Sequence, residues 1–540
     1  MSVEESACDD TDVLVVGAGP VGMALALDLI RRGVRVRLVE RGAGTFPGSR
    51  AKGVQPRTLE VFDDFGIVDA ARAAGGPYPP MGLHVGPASV KWVMQKPVAP
   101  DPGTPYPDIL LLPQYATTGI LRGAVEEAGV AIEFGAEVTG VTQDAASVTA
   151  ELADGTCVRA RYVVGTDGAS SVVRKSAGLA FMGTTDEADR MLVVDGRVAG
   201  LSRDRWHVFP RLGGRMVAAC PLPGGENFQV MIKIRPDDPV DLSEPALAEL
   251  FGRLAGRGMR LTDVTWASVF RPNVRLASAY RQGRVLVAGD AAHVHTPAGA
   301  QGLNTGVQDA YNLGWKLGQT LAGAPDELLD SYEGERRPIA AAVLGRSSEL
   351  YAGAKKARPG ALRRGADERQ LSLTYAGGPL ARSTGPVART GTLEVGDRAP
   401  DAALAQERLF DLLRGPHFTL LAFGERAGTG LEKVAWPSRG AALHRHRLTE
   451  RTTSGGTAER AVLATYGITS DTLVLVRPDG YIGHIVTYGE SSSGSSSSGP
   501  SEALGSQALG SEVLGSQACG SEACDLTELD RAVALMTPPL

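Results

Sequence analysis

Residues 12–40 read DVLVVGAGPVGMALALDLIRRGVRVRLVE, and this stretch decides the fold. It contains an apolar run typical of a buried parallel strand, a segment with the apolar spacing of a helix, and a second apolar strand. Gly17, Gly19 and Gly22 lie between the first strand and the helix, with the spacing of a dinucleotide-binding turn. Strand, glycine turn, helix and strand in this order predict an α/β fold with a Rossmann-like parallel sheet.

The glycine turn is a candidate cofactor site. Its glycines permit a tight turn and the close approach of a pyrophosphate, which then lies at the N-terminus of the helix. Glu40 ends the second strand, where an acidic side chain accepts a hydrogen bond from a ribose hydroxyl. An acid at this point favours FAD or NAD over NADP. The residues assigned to this part of the site are Gly17, Gly19, Pro20, Val21, Gly22, Glu40 and Arg41.

A second glycine-rich run, GDAAHVHTPAGAQGLNTG, spans residues 289–306 and follows the apolar strand RVLVA. Helical spacing begins near Gly302, so the order strand, glycine turn and helix occurs again. Such a turn offers unpaired backbone N–H groups to an anion, and it also occurs as a plain crossover turn in α/β sheets. The nucleotide predicted from residues 12–40 favours the binding interpretation, with Asp290 as the acidic residue of the turn.

Further segments supply candidate polar residues. The strand RYVVG closes on Asp167 and Gly168. Arg50 follows the strand that ends in Glu40, where a guanidinium either contacts phosphate or the flavin ring or is a solvated loop side chain. Gln114 opens a predicted helix and either faces a cofactor or caps that helix.

Composition and charge argue against several classes of function. The chain has 540 residues, a formal net charge of −6 and dispersed Lys and Arg, so nucleic-acid binding has no electrostatic support. Its five cysteines lack metal-ligand spacing and are predicted to be reduced thiols, and no metal site is expected. The acidic N-terminus lacks the pattern of a signal peptide, and no apolar run is long enough to cross a membrane. We therefore expect a cytoplasmic protein.

The three motifs, the Gly17 turn, Asp167–Gly168 and Gly289–Asp290, resemble in order and separation those of FAD-dependent aromatic hydroxylases of the para-hydroxybenzoate hydroxylase-like family. Residues 303–317, LNTGVQDAYNLGWKL, are similar to the branch that modifies aromatic polyketides. The resemblance implies FAD as cofactor, NAD(P)H as a cosubstrate that reduces the flavin, and O₂ as the oxidant. It also implies an α/β fold with a Rossmann-like FAD-binding domain, an interleaved β-sheet substrate domain and a C-terminal thioredoxin-like α/β domain.

The resemblance also assigns roles to the candidate residues. Glu40 would hold the adenosine ribose, and Arg50 and Gln114 would lie along the cofactor. Asp290 would meet the ribityl or pyrophosphate portion, whereas Asp167 would serve the flavin, the nicotinamide or both. Two further groups complete the implied site: Leu303 and Asn304 at the flavin pyrimidine edge, and the run from Pro297 to Gly302 along the reacting face, where the Pro297 carbonyl would line the active site.

The predicted domain boundaries follow these motifs. The divisions are an FAD-binding domain at 1–80, 113–185 and 276–354, a substrate domain at 81–112 and 186–275, a linker at 355–390, a thioredoxin-like domain at 391–490, a low-complexity insertion at 491–525 and a terminal helix at 526–540. Because residues 391–490 contain no cysteine, dithiol chemistry is excluded for that domain. In the substrate domain, five large residues are either core or the wall of an apolar pocket: Trp92, Trp206, Phe209, Met216 and Phe228.

The sequence thus predicts an FAD-dependent monooxygenase that hydroxylates an aromatic, polyketide-derived substrate. Two alternatives stay open: Baeyer–Villiger or epoxidising oxygen insertion by the same cofactor, and a flavin-binding module without catalysis. A flavin-dependent halogenase is disfavoured, because the sequence contains no Trp-x-Trp pair. The expected partners are a small aromatic molecule, O₂ and NAD(P)H, and a homodimer is an open alternative.

Overall fold

The computed structural model describes residues 9–86, 88–256, 258–296, 299–355, 364–381, 389–448, 457–488 and 522–540. Residues 356–363 and 382–388 of the predicted linker and nearly all of the predicted low-complexity insertion lie outside these ranges, as does Pro297.

The strands pair into separate sheets. In chain order they are β1 Asp9–Val16, β2 Val36–Glu40, β3 Gly53–Val54, β4 Gly76–Pro77, β5 Met81–Val85, β6 Ala88–Trp92, β7 Leu110–Leu111, β8 Ile132–Phe134, β9 Val138–Gln143, β10 Val148–Leu152, β11 Cys157–Gly165, β12 Phe181–Thr185, β13 Arg190–Ala199, β14 Trp206–Pro210, β15 Met216–Pro221, β16 Asn227–Ile234, β17 Arg260–Phe270, β18 Asn273–Ala277, β19 Arg281–Gln282, β20 Val285–Val287, β21 His293–Val294, β22 Arg389–Thr390, β23 Leu393–Glu394, β24 Phe418–Phe423, β25 Leu443–Leu448, β26 Thr472–Val476 and β27 Ile482–Thr487.

The helices pack on the faces of these sheets. They are α1 Pro20–Arg31, α2 Pro56–Asp64, α3 Val68–Ala74, α4 Gln114–Glu127, α5 Val172–Ser176, α6 Glu244–Ala255, α7 Gly302–Leu321, α8 Glu327–Lys355, α9 Leu409–Leu413, α10 Glu425–Lys433, α11 Thr457–Tyr466 and α12 Glu522–Met536. The terminal helix begins at Glu522 rather than at the predicted residue 526.

The central sheet has the order β19-β20-β11-β1-β2-β8, with β10 attached to β11 and β9 to β10. Strand β1 runs parallel to β11 and to β2, and β11 runs parallel to β20. Because parallel strands end at the same edge of a sheet, the turns that follow β1, β2, β11 and β20 meet there. The predicted α/β fold with a Rossmann-like parallel sheet is therefore confirmed.

Helices α1 and α7 lie against each other within the largest buried apolar cluster. Two glycines of α7 permit this approach. A Cβ at Gly306 would lie 2.7 Å from a methyl of Val21, and a Cβ at Gly314 would collide with the Asp28 carboxylate. Helix α7, which begins at the second glycine run, thus packs closely against helix α1, which begins at the first glycine run.

The middle sheet has the order β17-β13-β16-β15-β14-β5-β6. It contains the hairpin of β14 and β15, and β5 joins it from earlier in the chain. Strand β6, Ala88–Trp92, lies at one edge of this sheet, whereas the short strand β7, Leu110–Leu111, pairs with β3 and β4 in a separate small sheet. Proline at position 107 has no N–H to donate to a neighbouring strand, which shortens that element.

Helix α6 covers one face of the middle sheet. Phe209 and Phe228 pack with Phe251 of α6 in a buried cluster, so these two belong to the core and not to a pocket wall. Since side chains alternate across a strand, neighbouring Trp206 and Gln229 lie on the opposite face. That opposite face is turned toward residues 46–52, the segment that carries Arg50.

The C-terminal sheet has the order β25-β24-β26-β27, with β24 parallel to β25 and antiparallel to β26. Its core is shared with the rest of the molecule, because Trp315 of α7 packs edge-on against Phe418 of β24 at 5.7 Å.

Cys157 is disulfide-bonded, so the prediction of reduced thiols is wrong for this residue, whereas Cys220 is free and buried. No helix among the described residues is long and apolar enough to cross a membrane.

Candidate cofactor site

The Gly17 turn leaves an uncapped helix N-terminus at the edge of the central sheet. Gly17 has φ +105°, and a Cβ there would lie 2.7 Å from the Thr166 carbonyl oxygen. A Cβ at Gly22 would collide with the Gly17 carbonyl oxygen. Gly19, the N-cap of α1, makes no side-chain capping bond, and a Cβ there would meet no atom within 4 Å. Its neighbourhood is therefore open for a ligand that accepts hydrogen bonds from the first turn of α1.

Glu40 lies directly beside this turn. One carboxylate oxygen accepts a hydrogen bond from the Ala18 N–H at 2.9 Å, and the other accepts from the Gly42 N–H at 2.9 Å. These two bonds fix the carboxylate at the end of β2, next to the open N-terminus of α1. Arg41 follows with an exposed side chain.

The Gly289 turn meets the Gly17 turn through Val21. Gly289 has φ +58°, and a Cβ there would lie 2.8 Å from a Val21 methyl. Asp290 is exposed to solvent, although protein atoms surround its carboxyl group. Surrounding protein raises the pKa of the Asp290 carboxyl, and the positive charges of His293 and Arg50 oppose this rise. The first and third motifs therefore lie side by side, and the Arg50 charge acts on Asp290.

A buried carboxylate holds the Gly289 turn in place. Asp309 of α7 accepts hydrogen bonds from the Gly289 N–H at 3.2 Å, from His293 Nε2 at 2.5 Å and from Arg336 Nε at 2.8 Å. The side chains of Asp309, His293 and Arg336 have no exposed surface. Burial alone would raise the pKa of Asp309, but the neighbouring positive charges outweigh it and lower the pKa. Arg336 also donates to the Thr305 carbonyl at 3.1 Å, which ties α8 to the first turn of α7.

Sequence reasoning missed Asp309 and Arg336. The signal available for Asp309 was that it is the single charged residue between positions 302 and 315 of a helix, GLNTGVQDAYNLGW. A charge at such a position is almost always paired inside the protein.

Asp167 caps the N-terminus of α5. Its Oδ2 accepts hydrogen bonds from the Val172 N–H at 2.7 Å and the Val173 N–H at 3.3 Å. Its Oδ1 is buried and has no hydrogen-bond partner among the described residues. Desolvation raises the pKa of the Asp167 carboxyl, while the hydrogen bonds lower it. One oxygen of Asp167 thus remains available to a ligand donor.

Arg174 of α5 links the second motif to the third. Its guanidinium donates to the Ala291 carbonyl at 3.0 Å and to the Ala169 carbonyl at 3.0 Å, and it stacks over Phe181 at 3.9 Å. The sequence placed Arg174 on this helix without assigning it a role.

The side chain of Asn304, in the first turn of α7, fixes the N-terminus of this helix. Asn304 Oδ1 accepts a hydrogen bond from the Gln55 N–H at 2.8 Å, and Nδ2 donates to the Gly53 carbonyl at 2.9 Å and the Ala300 carbonyl at 2.6 Å. The amide of Asn304 is therefore fully used within the protein. The first turn of α7 contains Gly302 and half-buried Leu303. This turn offers its backbone N–H groups to a ligand.

Arg50 and Gln114 lie on different elements, but a hydrogen bond to Ala51 brings them close together. The Gln114 Oε1 accepts a hydrogen bond from the Ala51 N–H at 3.2 Å. The exposed guanidinium of Arg50 lies over the ring of Phe46 at 5.3 Å. Gln114 thus positions the backbone beside Arg50.

The motifs fit an extended dinucleotide. The open N-terminus of α1, the unpartnered Asp167 oxygen and Asp290 follow β1, β11 and β20, so they lie along one edge of the central sheet. Helix α7 approaches the Gly289 turn through Gly306. Among the described residues no cluster of His, Cys, Asp and Glu has the arrangement of a metal site.

Comparison with known proteins agrees with this arrangement. Residues 10–347 match the family model described as an FAD-binding domain, and residues 392–505 match the aromatic-ring hydroxylase C-terminal domain. A flavin-dependent monooxygenase of Mycobacteroides abscessus is 40% identical over 495 residues, which cover 89% of this chain and 98% of the relative. The 6-methylpretetramide 4-monooxygenase of Streptomyces rimosus is 34% identical over 522 residues, with 88% and 90% of the two chains covered.

A solved structure extends the similarity to the whole architecture. The ternary complex of aklavinone-11 hydroxylase with FAD and aklavinone superposes with a TM-score of 0.74 at 28% identity, covering 90% of this chain and 96% of that one. Family models that cover most of the chain and relatives of nearly equal length lead to one conclusion. The chain belongs to the FAD-dependent aromatic-ring hydroxylases, a family of flavin-dependent monooxygenases.

Proposed function

We propose that the protein uses NAD(P)H and O₂ to hydroxylate a polycyclic aromatic substrate derived from a polyketide. The observation that carries the proposal is the meeting of the three motifs along one edge of the central sheet, with the α1 N-terminus open. The relatives named for 6-methylpretetramide and aklavinone support a substrate of this kind.

We further propose which residues hold FAD. The assignment comprises Gly17, Gly19, Pro20, Val21, Gly22, Glu40, Arg41, Arg50, Gln114, Asp167, Asp290, Gly302, Leu303 and Asn304. Bound FAD supplies the redox and oxygen-activating chemistry, which the protein side chains do not provide. The open first turn of α1 would bind the pyrophosphate, and Glu40 beside it would accept from the ribose. The N-terminus of α7 would stabilise negative charge at the pyrimidine edge.

The middle sheet would supply the wall of the substrate compartment. On its face opposite α6, Val193 lies opposite Met231, Met231 opposite Ala218, and Ala218 opposite Val208. An apolar row of this length suits a flat polycyclic ring system, and it excludes water from the reacting atoms.

The reaction is tested with holoenzyme, NADPH or NADH, and a panel of aromatic polyketides under ¹⁸O₂. Mass spectrometry should find one ¹⁸O atom in a hydroxylated product. Consumption of NAD(P)H with every aromatic, but without an oxygenated product, would contradict the proposal. A labelled lactone or epoxide would replace hydroxylation with Baeyer–Villiger or epoxidising chemistry.

The cofactor assignment is tested by two alanine substitutions of glycines with empty surroundings. Both Gly19 and Gly119, which lies on α4, have open space where a Cβ would be placed. Gly19→Ala should fold normally and lose FAD affinity, because the methyl group would fill the space proposed for the pyrophosphate. Gly119→Ala should keep its full flavin content. Asp290→Ala should also lose FAD, and an unchanged flavin spectrum in both site variants would overturn the assignment.

A further inference from the structure

Residues 46–52 lie along a polar row of side chains on the middle sheet. Asp195 of β13 lies opposite Trp266 of β17 and Gln229 of β16, and Gln229 lies opposite Cys220 of β15. Residues directly opposite each other in antiparallel strands share a face, so these side chains form one row. The row faces away from α6 and toward the proposed flavin site.

Ser49, in the middle of this segment, donates hydrogen bonds to both carboxylate oxygens of Asp195. The Ser49 N–H donates to Asp195 Oδ2 at 2.7 Å, and the Ser49 hydroxyl donates to Oδ1. Gln229 Nε2 donates to the Ser49 carbonyl at 2.6 Å. Asp195 is 1% exposed, so its carboxyl group is hydrogen-bonded by the backbone and hydroxyl of Ser49 rather than by bulk water.

Lys52 is the last residue of this segment. It is a buried cation whose N–H donors are not all matched by acceptors of the described chain. It is 7% exposed, its ammonium donates to Gln229 Oε1, and it lies 4.1 Å above the ring centre of Trp206. An ammonium has three N–H donors, and Gln229 supplies the single acceptor that Lys52 reaches among the described residues. No carboxylate of the described chain forms an ion pair with it within 4 Å, since Asp195 is taken by Ser49. The Asp195 charge acts on Lys52 from beyond this distance, so two N–H donors of the buried ammonium remain for a ligand.

Neighbouring groups on the same face also lack acceptors. Trp206 lies opposite Met81, and Met81 lies opposite Trp92, so both indoles continue the row. The ring N–H groups of Trp206 and Trp92 are buried without a hydrogen-bond partner in the described chain. The polar groups around Lys52, Trp206 and Trp92 that lack a hydrogen-bond partner in the described chain are therefore all donors. A ligand that fits it must present hydrogen-bond acceptors.

We propose that Lys52 is a specificity-determining residue that binds an acidic oxygen, a phenolate or enolate, on the aromatic substrate. The inference rests on the proposed function and names the chemical group by which the substrate is selected. Lys52 is well placed for this, because the carbonyl of the next residue, Gly53, accepts from Asn304 at the start of α7. The acidic oxygen therefore binds beside the proposed flavin edge.

Electrostatics around Lys52 favour an anion. Burial lowers the pKa of the Lys52 ammonium, and Cys220 and Asp195 oppose this effect. Other ionisable groups here are Tyr78, whose ring contacts Trp206 edge-on at 6.1 Å, and Arg364, whose charge acts on Tyr78. A hydrogen bond to a charged group corresponds to about a 10- to 100-fold difference in affinity.

Binding of two probes to the holoenzyme, without NAD(P)H, tests the inference independently of turnover. The probes are 2-hydroxyanthraquinone and its ether 2-methoxyanthraquinone, at a pH below the hydroxyl pKa of the free probe. Wild-type protein should bind the hydroxy probe about 10-fold or more tightly than the ether, with the visible absorbance of the ionised form. Lys52→Met should abolish this preference and the absorbance change, and Lys52→Arg should keep part of both.

The matched control is Lys91→Met. Lys91 is half-exposed on β6 and pairs with Asp204 at 3.5 Å, so its loss should leave both dissociation constants unchanged. Equal affinity of the wild type for the two probes, or no binding of the hydroxy probe, overturns the inference even if Lys52→Met fails to fold. A Lys52→Met holoenzyme with full flavin content and an unchanged preference also overturns it. Failure of the proposed function would appear separately, as absence of oxygenated product with intact probe discrimination.

Discussion

Two adjacent residues of α8, Glu335 and Arg336, take part in two different buried charge clusters. Arg336 belongs to the first cluster, which it forms with Asp309 and His293 around the Gly289 turn. Glu335 belongs to the second cluster, in which it accepts from Lys316 at 2.7 Å and from Arg477 at 2.7 Å. The side chains named here are at most 1% exposed.

The two clusters differ in what they hold together. The first cluster fixes a backbone N–H of the Gly289 turn, so its carboxylate acts on the proposed cofactor site. The second joins α7 and α8 to the C-terminal sheet, because Arg477 also pairs with Asp479 at 2.6 Å, and Asp479 accepts from Asn312 of α7 at 3.1 Å. Similar burial and similar chemistry thus serve the site in one case and the assembly of sheets in the other.

Removing the acid of the first cluster should have the largest effect. Asp309→Ala leaves Arg336 buried without its carboxylate and the Gly289 N–H without an acceptor. We expect a loss of about 3–5 kcal/mol in unfolding free energy, together with loss of bound FAD. Urea unfolding and the flavin-to-protein absorbance ratio measure both effects. Asp330→Ala is the control: this exposed partner of Arg281 should contribute less than about 1 kcal/mol. A stable, flavin-free Asp309→Ala protein would show that the cluster serves the site alone.

Breaking the second cluster should destabilise the protein without emptying the site. Arg477→Met removes the guanidinium that lies between Glu335 and Asp479, and we expect a loss of about 3 kcal/mol. The flavin content of the folded fraction should match that of the wild type, because Arg477 makes no hydrogen bond or ion pair to a residue of the Gly289 turn in the described structure. Flavin loss as severe as in Asp309→Ala would erase the distinction between the two clusters.

The smallest effect should be the pH-dependent contribution of Glu335, in the second cluster, to the free energy of unfolding. Burial alone would raise the pKa of Glu335, but Arg477 and Lys316 lower it to about 2. Since an unfolded glutamate has a pKa of about 4.3, charged Glu335 stabilises the fold above that pH, and the contribution disappears as the pH falls toward about 2. Glu335→Gln should therefore cost about 2 kcal/mol near neutral pH. The difference from wild type should shrink between about pH 4 and pH 2.

Urea unfolding of both proteins over that pH range measures the effect. A difference that stays constant down to about pH 2 would contradict the assignment of the lowered pKa to Glu335.

The sequence predicted best what is encoded over short distances. The strand, turn and helix around Gly17 follow from local periodicity and glycine spacing, and the edge of a parallel sheet brings such turns together. The middle sheet was harder to predict, because β5 joins it from more than a hundred residues before β14.

The buried charge pairs could not be predicted from the sequence. Arg477 and Glu335 lie 142 positions apart, and nothing in either local pattern selects the other. Lys52 resembled an ordinary loop residue, and its burial depends on the middle sheet covering residues 46–52. Pairing and burial of this kind are set by tertiary packing, which local propensity does not determine.

The second cluster has a consequence for engineering hybrid proteins from this family. A chimera that exchanges only the C-terminal sheet would bring a new partner to Glu335 and Lys316 while leaving those two residues behind. Grafts should therefore carry the matching positions of α7 and α8 with the donor sheet, although these lie within the stretch that matches the FAD-binding domain. The natural unit of recombination is thus larger than the C-terminal segment and cuts across the linear order of the chain.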